Sequence, residues 1–176
     1  MLVAVALAVP SARAAEHGSA GVLRPVVAGA DVVARPCALV GSEQVKFALG
    51  VDTDAYVAGP RSETPESCSW HSAQPNCFSR SLSVVLDAAS GAAGRFAELQ
   101  ATALPLDVVD GLGDDAFFTT EPLPPGAAVA IEHLSIRHGS AWVEMTMLGR
   151  ISGESAHELM RAIAPTIVTR LALSTP

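Results

Sequence analysis

Residues 127 to 149 read AAVAIEHLSIRHGSAWVEMTMLG, two apolar-rich runs on either side of His138-Gly139. Glycine supplies the positive φ that a tight hairpin turn needs, so the stretch predicts a β-hairpin turning at that dipeptide. In the second arm Val143, Met145 and Met147 alternate with Trp142, Glu144 and Thr146, which predicts one core-facing side and one outer side. The first arm breaks parity between Ile131 and Leu134, and a bulge near Glu132-His133 would restore it.

The rest of the pattern is mixed. ALVGSEQVKFALG, residues 38 to 50, predicts a short helix capped by Gly41 or Ser42 and stopped by Gly50, with Val45, Ala48 and Leu49 inward. Residues 51 to 67, which include GPRSETPES, read as loop. SLSVVLDA (81–88) is β-branched and apolar and predicts a strand. Ser90 then caps a helix to about Ala103, with Ala92, Phe96, Leu99 and Ala103 on one side. DDAFFTT (114–120) predicts a second short strand. From Gly153 to Leu171 the period turns helical, with Leu159, Ile163, Ile167 and Leu171 in one line and Ala156, Met160, Ala164 and Val168 beside it. Pro165 should kink or split that helix. No alternation of parallel strands and helices is present, so the pattern predicts a single α+β domain over residues 35–173, an antiparallel sheet covered by helices on one face.

Composition adds compartment and exclusions. The chain of 176 residues is 49% hydrophobic but only 5% aromatic, so the core is built from small side chains. Phe47, Phe96, Trp142 and Trp70 are the candidate anchors. The first stretch, MLVAVALAVPSARAAE, is apolar from Leu2 to Val9 and reaches the small-residue pattern Ala12-Arg13-Ala14, which resembles a signal-peptide h-region and its cleavage site, although no Lys or Arg precedes the apolar run. The expected organisation is a signal peptide over 1–14, a linker or loosely packed leading segment over 15–34, and a folded domain in the periplasm, the cell envelope or the extracellular space. The apolar run is too short to span a bilayer. A formal charge of −7 and a single lysine, Lys46, argue against nucleic-acid or anionic-membrane partners.

Three short stretches carry a resemblance. A cysteine just ahead of ALVGSEQVKFALG, the later CSW and GLGDDAF, followed by a closing amphipathic helix, resemble a family of small exported bacterial proteins, often actinobacterial lipoproteins, known as a domain of unknown function. The likeness runs over residues 35 to 172. It implies an extracytoplasmic α+β domain in which Cys37 and Cys68 pair, and it implies no catalytic residues. The chain departs from that family in two ways: no lipid-attachment cysteine follows the h-region, and Cys77 is additional.

The chemistry-bearing positions are few. In CSWHSAQPNCFSR (68–80) a turn centred on AQPN would place Cys68 opposite Ser81 and out of reach of Cys77, which favours a bridge from Cys68 to Cys37. A Cys68–Cys77 bridge, and a metal held by Cys68, His71 and Cys77, remain open. DVVDGLGDDAF gathers Asp107, Asp110, Asp114 and Asp115 around two glycines, a composition that suits either calcium or a tight turn. A hairpin turning at His138-Gly139 places His133 opposite Glu144, as a catalytic pair or an exposed ion pair. His157 has no partner at ligand spacing. The nucleophile elbow, the P-loop and the HExxH motif are all absent. The expectation is therefore an exported, non-enzymatic domain, without cofactor or metal, that binds an envelope protein or a small apolar molecule. The alternative is a secreted hydrolase-like enzyme with a site assembled from His71, His133 and the Asp110–Asp115 loop.

Overall fold

The computed structural model describes residues 35–61, 64–73, 80–89, 91–102, 106–127 and 129–174. The expected signal peptide and leading segment lie outside these residues, as do Cys77, the Ser90 cap and Ala103. Helices α1 (Pro36–Leu39) and α2 (Ser42–Leu49) precede a 3-10 turn at Asp54–Tyr56. Strands β1 (Val57–Arg61), β2 (Ser67–Ser72) and β3 (Ser81–Asp87) follow, and then helix α3 (Ala92–Thr102). Strands β4 (Asp107–Val108), β5 (Asp115–Thr120), β6 (Ala130–His138) and β7 (Ala141–Gly149) lead to the closing helix α4 (Gly153–Ser174). The strands form one sheet in the order β1-β2-β3-β7-β6-β5-β4, and every neighbouring pair is antiparallel. The fold is α+β, as the pattern predicts.

The pleat decides what lies where. Leu82, Val84 and Leu86 of β3, Val143, Met145 and Met147 of β7, and Leu134 and Ile136 of β6 are all buried on one face. They pack with Val45, Ala48 and Leu49 of α2 and with Met160, Ile163, Ile167 and Leu171 of α4 in a single core. Phe117 and Phe118 are consecutive in β5, so they point to opposite faces, yet each is 1% exposed. Phe118 joins the main core. Phe117 meets Phe96 of α3, ring centroids 5.2 Å apart, so α3 covers a smaller patch on the reverse face.

Several expectations need correction. The hairpin pairs His138 with Ala141, so its two-residue turn is Gly139-Ser140 rather than His138-Gly139. Gly139 still supplies the positive φ, at 59°. Moving the turn by one residue changes each pairing by two positions, so the same side chains still face the core. The β6–β7 register is continuous, and the expected bulge is absent: Glu132, not Ile131, takes the inward position and is 2% exposed. Pro165 does not split α4, because buried residues on both sides of it, Ile163, Ala164 and Ile167, hold the helix to the sheet. Phe47 is 53% exposed, since on a helix it lies about 200° from Val45 and so on the solvent side. β1 lies in the stretch read as loop.

Candidate functional site: an apolar groove beside the disulfide, and two histidine–carboxylate clusters

Cys37 and Cys68 form a disulfide, with Cα atoms 5.2 Å apart. This removes Cys68 from any bridge to Cys77 and from the metal site considered with His71. The β2–β3 register differs from the expected one, for Cys68 pairs with Val84 and it is His71 that faces Ser81. Along β2 burial alternates, so His71 lies on the opposite face from Cys68. The bridge ties α1, a four-residue helix with no side-chain cap, to the second strand of the sheet.

Cys37 lines a groove of about 320 Å³ bounded by α1, α2, the 3-10 turn, β1 and β2. Val40, Val45, Val57, Pro60 and Trp70 give it an apolar lining. Its one carboxylate, Asp54, stands 3.7 Å from the Lys46 ammonium. The β1 edge beside the groove is not a free ladder. Its register shifts between Ala58 and Arg61, and Pro60 within that shift has no N–H to offer.

The aspartate loop divides between two structural tasks. Asp114 accepts the Gly139 N–H at 2.7 Å and an Arg137 N–H at 3.2 Å, while Asp115 pairs with the same guanidinium, 2.9 Å from its Nε. Both therefore fasten the β6–β7 turn. Asp107 reaches the other way, to Arg161 of α4 at 3.2 Å and to the Nδ1 of His157 at 3.5 Å. Asp110 is exposed. Among the described residues no group of three or more His, Cys, Asp or Glu side chains is arranged to hold a metal ion.

Around His133 the pairing also differs from expectation. The shifted turn places Thr146 opposite it and Ser135 opposite Glu144. His133 nevertheless meets Glu144 diagonally, Nδ1 to Oε1 at 3.6 Å, and its Nδ1 lies 3.0 Å from the Thr146 hydroxyl. Glu121 approaches the Nε2 at 3.8 Å. Hydrogen bonding to Glu144 holds the imidazole above its ordinary range, burial opposes this, and the charges of Glu144, Glu121 and Glu132 add to the rise.

The second cluster was not legible in the sequence. Glu132, buried at the inner face of β6, accepts from the Thr120 hydroxyl at 2.7 Å and lies 3.0 Å from the Nε2 of His157. His157 stacks on Phe118 at 3.9 Å, and Arg161 lies 4.9 Å over the same ring. The broken parity of the first hairpin arm is the signal in the sequence for an inward Glu132.

The residues considered for an enzymatic site do not converge. β2, which carries His71, is three strand spacings from β6, roughly 14 Å. Asp115 lies four positions along the β5–β6 ladder from the pair that contains His133, roughly 13 Å. Comparison with protein-family models, with curated proteins and with solved structures finds no significant match.

Proposed function

We propose that this chain is an exported, non-enzymatic domain of the cell envelope or extracellular space, and that its groove takes a small apolar molecule. The groove beside the disulfide carries the reading. Its volume lies at the lower end of the range for small-molecule sites, and its lining combines apolar side chains and an aromatic wall with two polar side chains, Ser42 and Asp54. A protein segment suits it less well, because the bulge and Pro60 blunt the one sheet edge to which an extended peptide would add. The exported setting is supported by the apolar leader and its Ala12-Arg13-Ala14 pattern, by the disulfide, which oxidising compartments favour, and by the likeness of Cys37, CSW and GLGDDAF to exported proteins of unknown function. No helix among the described residues is long and apolar enough to cross a membrane.

Two measurements test this. N-terminal sequencing of protein recovered from outside the cytoplasm should begin at Ala15 or within a few residues, and an intact Met1 on cytoplasmic protein would overturn export. A neutral solvatochromic dye such as prodan should bind the oxidised chain, and Val57→Trp, which adds bulk to the groove lining, should abolish binding while the chain keeps its far-UV circular dichroism. Equal dye binding by that variant would overturn the groove as the site.

A further inference from the structure

The two sulfurs of the bridge are not equally approachable. Cys68 is 1% exposed and belongs to the core, whereas Cys37 is half-buried and lines the groove. A thiolate attacks a disulfide through a mixed-disulfide intermediate, and which sulfur it attacks depends on access. It must approach from the side away from the leaving sulfur. Cys68 is enclosed in the packed core, whereas Cys37 is a wall of the groove, so the groove is the open approach to the bond.

We propose that the groove is the entry by which an external dithiol reduces the bridge at Cys37, so that occupancy by an apolar ligand and reduction of the bridge oppose one another. This rests on the reading of the groove as a ligand site. In the first step the reductant's thiolate attacks Cys37 Sγ: a bond forms between those sulfurs, the Cys37–Cys68 bond breaks, and Cys68 leaves as a thiolate that takes up a proton. The reductant's second thiolate then attacks its own sulfur in the mixed disulfide, and Cys37 leaves and is protonated. Two electrons pass to the chain, and the dithiol becomes a disulfide.

Reduction changes the site as well as the bond. α1 is one turn long and too short to hold itself by backbone hydrogen bonding. Without the bridge it keeps the buried Pro36 and Leu39 and a 3.2 Å hydrogen bond from Arg170 to the Ala38 carbonyl. The groove wall that carries Cys37 then loses its covalent tie to β2. Coupling is reciprocal by thermodynamic necessity: a ligand that favours the oxidised form protects the bridge to the extent that reduction weakens the ligand.

The experiment uses the full chain carrying Cys77→Ser, so that only the bridged sulfurs can react. Brief treatment with glutathione, acid quenching and peptide mapping should locate the adduct on Cys37 with Cys68 free; an adduct mainly on Cys68 overturns the direction of attack. The equilibrium constant for reduction in a dithiothreitol redox buffer should fall about fivefold or more when prodan saturates the groove, and the reduced chain, checked for retained far-UV circular dichroism, should bind prodan more weakly by the same factor. If the dye binds but neither quantity changes, the coupling is wrong although the groove remains a ligand site. If the dye does not bind the oxidised chain, the ligand reading and the coupling fail together, and the adduct map still decides whether Cys37 is the sulfur attacked. A reduced chain that has lost its circular dichroism overturns a wall-loosening mechanism in favour of global unfolding.

Discussion

Glu132 and His157 meet at 3.0 Å where α4 packs on β6, a buried polar tie between that helix and the sheet. The Glu132 side chain is 3% exposed, and its carboxylate also lies against Gly153, the first residue of α4. A carboxylate buried on a core face costs stability unless it is fully partnered, and here Thr120, His157 and the positive end of the helix dipole surround it. Glu132→Gln should therefore destabilise the domain by about 1–3 kcal/mol, since the amide keeps the shape but mismatches its neighbours. His157→Phe preserves the stack on Phe118 and removes the same contact, so the double variant should cost less than the sum of the two by at least about 0.5 kcal/mol. Urea denaturation of the four proteins measures this, and strict additivity would show that the pair is a contact without energetic coupling.

His133 should make stability depend on pH in a defined direction. Its folded-state pKa lies above the ordinary value near 6.5, chiefly through Glu144. The folded chain thus binds this proton more tightly than the unfolded chain. The stabilisation is fully present below about pH 6.5 and is lost as pH rises through the folded pKa. Glu144 on β7, Glu121 just past the end of β5, and Glu132 on the core face of β6 are the charges that set the field, and the Thr146 hydroxyl lies beside the ring. Subtracting the urea-derived stability of His133→Gln from that of the parent at a series of pH values from 6 to 9 should give a difference that falls with pH. A flat or rising difference would contradict the assignment.

The loop before β5 is built to hold the hairpin turn, and its last two residues, Gly113 and Asp114, should differ in importance. Gly113 has φ of 62°, and a Cβ there would lie 2.3 Å from the Arg137 carbonyl oxygen. That oxygen also accepts the Asp114 N–H at 2.8 Å, so the backbones cannot separate without losing a hydrogen bond. Gly113→Ala should cost more than about 2 kcal/mol, because a disfavoured backbone conformation and a backbone clash act together. Asp114→Ala removes a half-exposed acceptor from Gly139 and should cost nearer 1 kcal/mol. Thermal unfolding of the two variants checks the order, and a reversed order would mean that Asp114, not the close approach at Gly113, holds the turn.

The long periodic elements were legible because many residues agree on one face. In α4 the eight apolar positions from Ala156 to Leu171 outweigh one proline, and in β7 the strict alternation of Val143, Met145 and Met147 survives a misplaced turn. What escaped was local and single. β1 contains Gly59-Pro60, a loop signature that an edge strand tolerates at an irregularity. Glu132 is a charge on a core face, where a pattern rule expects an apolar residue, and only the distant His157 and Thr120 make it acceptable. Neither partner is near it in sequence, so no spacing rule could have joined them. The groove likewise has walls from five separate elements. The disulfide pairing was within reach because exclusion of Cys77 does not depend on the detailed register, which was itself displaced.

The bridge between Cys37 and Cys68 closes a sequence separation of 31 residues and anchors the first helix, so its removal should be felt through the unfolded chain. In the chain-entropy model a loop of that size stabilises by roughly 3–4 kcal/mol. Cys37→Ser and Cys68→Ser should each cost about 2–5 kcal/mol, with Cys68→Ser at the higher end because it also places a hydroxyl in the core. The two should not add, since either alone removes the same bond. Cys77, the one cysteine outside the bridge, should by contrast be dispensable: Cys77→Ser should keep the parent's unfolding midpoint and lose the only thiol that titrates in the oxidised protein. Non-reducing peptide mapping decides the pairing directly. A fragment joining Cys68 to Cys77, with Cys37 open to alkylation, would mean that residues 68 to 77 staple only themselves and that α1 has no covalent tie to the sheet.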